Sequence, residues 1–473
     1  MKKNYLLFAF LFLALFFAAC NSGPEVIDKF PVVENKYDPA KPTSVNGIDP
    51  IFGVIDQTFI VEGNFPGDLS SLKVYFGPKR AVLLACDGKS ITGLVPKQSD
   101  GYNQISVVVG NDSIVPSGLK FKYKQSKSVK TVSGKFYSGD AKWLDDAAYA
   151  GAALDAVTYG EVHYVATVAG QKYDNIFLIE TGWGNRLFLL SQDDNKIQKL
   201  STPTNLCSPA VPSTRDKFYV TKFWDGDHPI YLYSKETSWA FTTTGITVAK
   251  DDWPGAKTPS MTFAEDDNLL YLFDVEGRIA EINLADKSYK VYTAANKKPA
   301  NIKPANFGGN ITGTLPSNFG DWEDSYICYS KYHKCFFASF TREHAIFKYE
   351  KNADNTWTCS LYAGRNGQGT TFGDRLKDAQ FNNPHGMVVN ADGELLVCNK
   401  GPNAWTGTGH CIYRIVGDAV ELVAGNPNSI NPLVNGDPLE ATFNTPRNLS
   451  IDSDGNYIIA GGNDRTVRKL SIE

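Results

Sequence analysis

The chain has 473 residues and a formal net charge of −4, from 47 Lys and Arg against 51 Asp and Glu. Because charges of both signs are mixed along the chain, the sequence indicates neither a basic stripe for nucleic acid nor a polybasic patch for anionic lipid. The length leaves room for two or three domains. The sequence has 41 Gly, 12% aromatic residues and few apolar runs of helical period. These three features together favour β structure.

The first nineteen residues (1–19) are predicted to be a signal peptide. Lys2 and Lys3 precede an apolar run over residues 6–17, which is too short for a comfortable membrane span. Cys20 directly follows small residues, and this pattern resembles the lipobox of bacterial lipoproteins, although Phe17 stands where that box usually has Leu. The resemblance implies acyl chains on Cys20 that anchor the protein in a membrane. The alternative is an ordinary secreted protein with a chance Cys.

Residues 20–45 are polar and rich in Pro, so they are predicted to be a flexible tether behind the lipidated Cys. Residues 46–125 then show short alternating runs separated by turn residues, as in a small β-sandwich. The runs cover residues 58–62, 73–76, 81–85, 91–95, 105–109 and 119–123.

The first domain resembles the IPT/TIG family of immunoglobulin-like domains. The sequences IVEGNF at residues 60–65, VYFG at 74–77 and FKY at 121–123 match motifs of that family. The resemblance implies an immunoglobulin-like fold that serves as a spacer or docking module.

Residues 128–473 contain an internal repeat. FNNPHGMVV at 381–389 is echoed by FNTPRNLSI at 443–451, and each is followed by an Asp-Gly turn and an apolar strand. These phrases resemble NHL repeats, which implies a β-propeller. Six blades can be placed, and the chain ends after the third strand of the last blade, so residues 129–133 are expected to supply the missing strand and close the ring. The six inner strands are expected to begin near Glu161, Leu206, Ser260, Asp324, Gly386 and Asn448.

Six of the eight Trp residues fall on one face in this layout. Indole presents a broad, rigid apolar surface that suits the C–H face of a sugar ring. The loop at residues 400–407, which holds Asn403, is long and Gly-rich, as ligand loops on rigid scaffolds are. The alternative is that these rings pack between blades. The predicted ligand-binding tryptophans are Trp143, Trp183, Trp224, Trp253, Trp322 and Trp405.

Histidines also gather in this layout, because His228, His344 and His410 fall in loops of the Trp-rich face and His385 opens an inner strand. Some six-bladed NHL-type lyases and SMP-30-like lactonases hold a metal in the channel, but their ligand pattern is not recognisable here. We therefore predict neither a metal nor a cofactor. The sequence holds no G-x-S-x-G elbow and no P-loop, and no catalytic residue is assigned. Seven cysteines remain after Cys20 and show no C-x-x-C spacing, so most are expected to be buried free thiols.

Three functions remain open at this point. The preferred one is an outer-membrane lipoprotein that binds a polysaccharide or oligosaccharide on the Trp-rich face, with no nucleic-acid partner. It resembles the lipoproteins of polysaccharide-utilisation systems, which implies the cell surface, although the periplasmic orientation stays open. The second is a hydrolase or lyase that uses His385 with Asp321 and Glu323 in the channel. The third is an interaction scaffold for other outer-membrane proteins. Fold alone does not choose among them.

Overall fold

The computed structural model describes residues 36–98, 100–136, 148–181, 186–203, 205–258, 260–264, 268–317, 325–402, 408–429 and 433–472. The chain forms two compact units, the first ending at Gln125 and the second running from Ser126 to Ile472. Both are built from β-strands, as predicted, and no α-helix occurs in the ranges just given. None of their helical turns is long and apolar enough to cross a membrane.

Unit 1 consists of two sheets. The first has the strand order β1-β3-β7-β6, and the second has the order β2-β10-β8-β4-β5 with β9 paired to β8. Each of the six runs predicted from the sequence overlaps one of these strands. The strands are β1 (Ser44–Asp49), β2 (Phe52–Gly53), β3 (Thr58–Asn64), β4 (Leu72–Phe76), β5 (Lys79–Arg80), β6 (Val82–Cys86), β7 (Ser90–Leu94), β8 (Gly101–Val109), β9 (Asp112–Ile114) and β10 (Lys120–Tyr123).

The two sheets of unit 1 enclose one aromatic core. Phe59 of β3 meets Phe76 of β4 edge to face at 5.0 Å between ring centroids, and Phe76 meets Phe121 of β10 at 5.0 Å. All three rings are fully buried, while the residues next to them along each strand are more exposed. This alternation explains why the sequence pattern was sufficient to find these strands.

The chain immediately before β1 is fastened to unit 1 by Asn64. The Asp38 N–H donates to Asn64 Oδ1 at 3.0 Å, and Asn64 Nδ2 donates to the carbonyl oxygens of Asp38 at 2.9 Å and Lys41 at 3.2 Å. The structured part of this unit therefore extends to residue 36, ten residues before the boundary expected at residue 46.

The described residues of unit 2 form five sheets. Their orders are β12-β13-β14-β15, β16-β17-β18, β19-β20-β21-β22-β23-β27-β26-β25-β24, β28-β32-β31-β30-β29 and β11-β35-β34-β33. In the nine-stranded sheet β23 pairs in parallel with both β22 and β27, and so joins two antiparallel groups. The strands are β11 (Lys127–Ser133), β12 (Glu161–Val168), β13 (Asn175–Thr181), β14 (Arg186–Ser191), β15 (Lys196–Leu200), β16 (Lys217–Val220), β17 (His228–Ser234), β18 (Phe241–Val248), β19 (Ser260–Phe263), β20 (Leu269–Phe273), β21 (Ile279–Asn283), β22 (Ser288–Ala294), β23 (Phe307–Gly313), β24 (Ser325–Ser330), β25 (Cys335–Phe340), β26 (Ala345–Lys351), β27 (Trp357–Gly364), β28 (Gly373–Asp374), β29 (Pro384–Val389), β30 (Leu395–Asn399), β31 (Cys411–Val416), β32 (Ala419–Ala424), β33 (Asn448–Ile451), β34 (Tyr457–Ala460) and β35 (Val467–Ile472).

The sheets of unit 2 pack on one another in sequence, and the last packs on the first. Ile458 and Val467 of the final sheet share an apolar cluster with Val162 and Leu178 of the sheet that begins at β12. Because each sheet covers the faces of its neighbours, the arrangement is propeller-like.

The closing strand predicted at residues 129–133 is confirmed. β11 pairs antiparallel with β35, with Val129 opposite Leu470 and Lys130 opposite Lys469. The Val129 side chain is buried in a cluster with Phe443, Ile459 and Leu470, whereas Lys130 is exposed. An N-terminal strand thus completes the sheet that ends the chain.

The seven cysteines between Cys86 and Cys411 are free thiols, and all except Cys86 are buried. Cys328, Cys335 and Cys359 lie in one sheet and form no disulfide with one another. These side chains fill apolar clusters between sheets, which is the usual role of a buried thiol.

The closing strand makes a stability prediction. Val129→Ala should lower the free energy of unfolding of unit 2 by roughly 2 kcal/mol, because it removes two buried methyl groups and leaves a small cavity. The matched variant Lys130→Ala, one residue away on the exposed face, should change it by less than about 0.5 kcal/mol. Urea unfolding monitored by tryptophan fluorescence measures both, and equal effects would contradict the pairing.

Candidate functional site

A cavity of about 450 Å³ runs along the inner strands of unit 2. Five segments of its wall belong to β12, β19, β24, β29 and β33, and the sixth is held by isolated bridges at Leu206 and Ala210. The volume is in the range of roughly 300–1,000 Å³ that small-molecule sites occupy. The six segments comprise residues 165–167, 208–213, 260–263, 326–329, 386–389 and 448–451.

Side chains of one inner strand satisfy the backbone of the next. The Val165 N–H of β12 donates to Asn448 Oδ1 of β33 at 3.2 Å, and the Thr167 N–H donates to Ser450 Oγ at 3.1 Å. An edge strand inside a protein otherwise leaves these N–H groups without acceptors. Polar residues at alternate positions of β33 therefore fasten the last sheet to the first.

The same device joins β19 to β24. The Ile327 N–H donates to Ser260 Oγ at 3.1 Å, and the Tyr329 N–H donates to Thr262 Oγ1 at 3.2 Å. The small polar residues that line the cavity are thus partly committed to the scaffold, and recognition of a ligand must draw on other groups as well.

Ionisable side chains lie close together where the inner strands begin. Glu161 and His163 open β12, His385 is the second residue of β29, Arg447 precedes β33, and Lys400 follows β30. We call these five residues the mouth cluster. Gly386 and Asn448, the neighbours of His385 and Arg447, both line the cavity, as does Val165 two residues after His163. The mouth cluster therefore borders one end of the cavity and forms one candidate site with it.

Glu161 is the acceptor at the centre of the mouth cluster. Its Oε2 lies 3.1 Å from His163 Nε2 and 3.0 Å from Arg447 Nη2. The hydrogen bond from His163, with the nearby charges of Arg447 and Lys400, lowers the pKa of Glu161 to about 2 although burial opposes this shift. The carboxylate is therefore ionised at neutral and mildly acidic pH, so it accepts hydrogen bonds and does not donate a proton.

His385 is held neutral. Its side chain is 1% exposed, and Nδ1 lies 3.1 Å from the Asn383 carbonyl oxygen, which assigns the ring proton to Nδ1. Burial, followed by the positive charges of Lys400 and Arg447, lowers the pKa of His385 well below its ordinary value. The ring therefore lies at the mouth as an uncharged hydrogen-bonding group with a lone pair on Nε2.

The structure describes two of the predicted ligand-binding tryptophans. Trp253 is fully buried, and its Nε1 donates to Asp274 Oδ2 at 2.9 Å. The ring therefore packs inside the protein, which agrees with the alternative of a packing role and not with ligand binding. Trp224 is half-buried, with Phe223 against its edge and Lys257 Nζ 5.9 Å from its ring centroid. Of the two, only Trp224 presents part of its ring to solvent.

The other residues assigned to ligand binding, lipidation and the channel chemistry lie outside the described residues. They are Cys20, Trp143, Trp183, Asp321, Trp322, Glu323, Asn403 and Trp405.

The three loop histidines contact the scaffold and do not form a common site. His344 and His410 each use Nδ1 to accept a backbone N–H of the following sheet, from Asn383 at 3.3 Å and from Thr445 at 3.0 Å. His228 lies 5.7 Å from the Trp253 ring, and its Nδ1 is 2.9 Å from the Lys222 carbonyl oxygen. Among the described residues no group of three or more His, Cys, Asp or Glu is arranged to hold a metal ion.

Sequence reasoning missed part of the mouth cluster. Glu161 was placed only as the start of an inner strand and Lys400 only as the first residue of the loop at 400–407, and His163 was not assigned to a site. A signal was available in the repeat, because the position after Pro in "N-x-P-x" holds His385 in one unit and Arg447 in the next. Different charged or polar residues at equivalent positions of a repeat, where inner strands begin, indicate that these residues border the opening of a cavity.

The fold is shared with Bacteroides proteins of known structure. A protein of unknown function from Bacteroides thetaiotaomicron VPI-5482 is 24% identical with a TM-score of 0.73, and the match covers 92% of this chain and 100% of that one. Auxiliary nutrient binding proteins from B. thetaiotaomicron VPI-5482 and B. ovatus ATCC 8483 are each 17% identical, with TM-scores of 0.56 and 0.57. Each of these two matches covers 92% of this chain and 99% of the other.

No family model matches the chain, and no curated protein does. At these identities the likeness to solved structures shows a common fold over both units. It does not by itself transfer a ligand.

The neutral state of His385 predicts a pH dependence of stability. The unfolded chain takes up a proton at this position below about pH 6.5, whereas the folded protein does not, so the free energy of unfolding falls as the pH drops below that value. In His385→Gln this slope should decrease by up to about 1.4 kcal/mol per pH unit between pH 6.5 and 5.

Urea unfolding at several pH values measures the slope. His228→Gln should reduce it in the same direction, since burial also lowers the pKa of His228. A slope in His385→Gln that equals that of the wild type would mean that this ring takes up a proton as readily in the folded protein as in the unfolded chain, and would contradict its neutral state.

Proposed function

We propose that the protein is an outer-membrane lipoprotein that binds a glycan, or a related extracellular ligand, at the candidate site of unit 2. The observation that carries the proposal is the mouth cluster at the end of the cavity. Two of its groups, Glu161 and His385, have shifted pKa values, and such groups gather at functional sites more often than elsewhere. A cavity of ligand size directly beside such groups is the arrangement expected of a binding site.

We further propose that unit 2 is a six-bladed propeller of the NHL type and that unit 1 is an immunoglobulin-like domain of the IPT/TIG type that acts as a spacer. Six wall segments around one cavity and a closing N-terminal strand support the first assignment. The motifs at residues 60–65 and 74–77 and the two sheets around one core support the second.

The chemistry of the mouth suits a sugar. Arg447 and Lys400 supply hydrogen-bond donors, Glu161 supplies an ionised acceptor, and His385 supplies a neutral acceptor, which together match the hydroxyls of a pyranose. By the sequence layout, Trp183 and Trp405 lie in loops of the same face. Similar structures named as auxiliary nutrient binding proteins agree with uptake of an extracellular nutrient.

The state of the carboxylate excludes Glu161 as the general acid of a glycosidase. A glycosidase needs one carboxyl group that holds its proton near neutral pH. The pKa of Glu161 is lowered to about 2, in the direction opposite to that requirement. In this proposal Glu161 positions a ligand hydroxyl.

Calorimetric titration of the soluble chain from Asn21 onward with a panel of polysaccharides tests the binding function. With the glycan that gives heat, Arg447→Gln should weaken binding about tenfold or more, because it removes a charge-assisted donor from a buried site. The variant Trp183→Ala with Trp405→Ala should reduce the affinity in the same direction.

The matched control is Tyr173→Ala, which removes a 45% exposed ring from the turn between β12 and β13, at the far end of that sheet. It should leave the affinity unchanged. Absence of heat with every glycan would contradict glycan binding and favour an interaction scaffold. Release of reducing ends from the glycan that binds would show that the protein is an enzyme.

The lipid anchor has its own test. Expressed with its leader in a Gram-negative host, the wild-type protein should partition into the detergent phase of a Triton X-114 separation, and Cys20→Ser should move to the aqueous phase because acyl chains supply the membrane affinity. Protease added to whole cells then distinguishes the cell surface from the periplasmic side. Equal partition of the wild type and of Cys20→Ser would contradict lipidation of Cys20.

A further inference from the structure

The outward face of the second sheet of unit 1 carries two exposed aromatic rings on either side of a lysine. Lys122 of β10 is directly opposite Phe52 of β2 on one side and Tyr102 of β8 on the other. Directly paired residues point to the same face of a sheet, so the three side chains form a row. Phe52 is 62% exposed and Tyr102 is 70% exposed, and Lys122 Nζ lies 5.8 Å from the centroid of the Tyr102 ring.

Tyr102 and Phe52 are two of the three most exposed aromatic side chains in the part of the chain that the structure describes. The core of this sheet is formed by its other face, where Phe121 and Tyr123, the neighbours of Lys122 on β10, are fully buried. Phe52 and Tyr102 therefore lie outside the core that folds the domain. Adjacent strands lie about 4.8 Å apart, which sets the two rings roughly 10 Å apart across Lys122. This spacing is comparable with the length of a disaccharide.

The same face is positively charged. The registers of β10, β8, β4 and β5 place Lys120 with Lys122, and Lys73 with Arg80, on the outward side. In the strands of this sheet, all of which the structure describes, the outward positions hold these four cations and no carboxylate. The net charge of −4 for the whole chain therefore conceals a local basic surface.

We propose that this face, defined by Phe52, Lys73, Arg80, Tyr102, Lys120 and Lys122, binds an acidic polysaccharide, one whose sugars carry carboxylate or sulfate groups. The flat rings of Phe52 and Tyr102 stack on pyranose faces, and the cations pair with the anionic groups along the chain. Unit 1 is then a second point of attachment for the polysaccharide and not solely a spacer.

Charge and shape favour this occupant over the others. A protein partner on a β-sheet face is usually held by a contiguous apolar patch, whereas here each ring is adjacent to a cation in the sheet. An elongated polyanion with flat apolar faces satisfies both features at once, since it places charges and ring faces in alternation along one line.

The inference does not depend on the candidate site of unit 2. It uses separate residues, and its ligand is defined by charge, whereas the mouth cluster is proposed to recognise hydroxyl groups. Failure of one therefore leaves the other standing, and variants at the two places separate them.

The test is affinity electrophoresis of the soluble chain from Asn21 onward in gels that contain polygalacturonate or chondroitin sulfate, with dextran as the neutral polysaccharide. The wild type should be retarded by at least one acidic polymer and not by dextran, and the retardation should weaken as salt is raised. Phe52→Ala with Tyr102→Ala, and separately Lys120→Gln with Lys122→Gln, should each raise the dissociation constant by about fivefold or more.

Two matched controls complete the design. Val82→Ala with Leu84→Ala removes side chains that are 63% and 52% exposed on β6 of the other sheet, and Lys196→Gln with Lys290→Gln removes two exposed charges from unit 2. Both should leave the retardation as in the wild type, and so should Arg447→Gln at the mouth cluster.

The inference is overturned if no acidic polymer retards the wild type, if the face variants and the controls behave alike, or if dextran retards it equally. Sedimentation with vesicles of 30% phosphatidylglycerol in phosphatidylcholine, a composition chosen as an anionic membrane surface, gives a further decision. Vesicle binding without polysaccharide binding would assign the face to a membrane and would also overturn the inference.

Discussion

The structure of unit 2 depends on how its inner strands satisfy their free edges. A strand at the edge of a buried sheet has a row of N–H groups without partners, which is unfavourable away from water. Here Asn448 and Ser450 accept two such groups from β12, and Ser260 and Thr262 accept two from β24. Because side chains make these bonds, the neighbouring inner strands do not pair through their backbones, and a cavity remains between them.

The mouth cluster follows from the same closure. Glu161 belongs to the first sheet and Arg447 to the connection that enters the last, so the ion pair between them exists only when the two sheets meet. The pairing of β11 with β35 completes the last sheet, and the apolar cluster that includes Val162 and Val467 packs it on the first. A substitution in β11 can therefore alter the mouth cluster through the last sheet, although no residue of β11 belongs to that cluster.

Unit 1 illustrates how a surface can be concealed in a sequence. Its four cations come from three different strands, and other residues separate them along the chain, so no run of basic residues appears. The strand order brings β4, β8 and β10 side by side and turns alternate residues to one side. The charged residues of a β-sheet face come from several strands, so such a face is recognised from the pairing register of the strands and not from a short stretch of sequence.

The sequence by itself determined the β class, six of the ten strands of unit 1 and the closing strand, because each of these depends on local alternation or on the repeated "N-x-P-x" phrase. It did not determine which polar side chains meet. Trp253 was predicted to bind a ligand, but its ring is buried and donates a hydrogen bond to Asp274. Glu161 and Lys400 were not predicted to bind a ligand, but they belong to the mouth cluster. The reason is physical: alternation fixes which face a residue occupies, whereas burial, ion pairs and pKa shifts depend on residues nearly 300 positions apart, as Glu161 and Arg447 are. Only the tertiary structure brings them together.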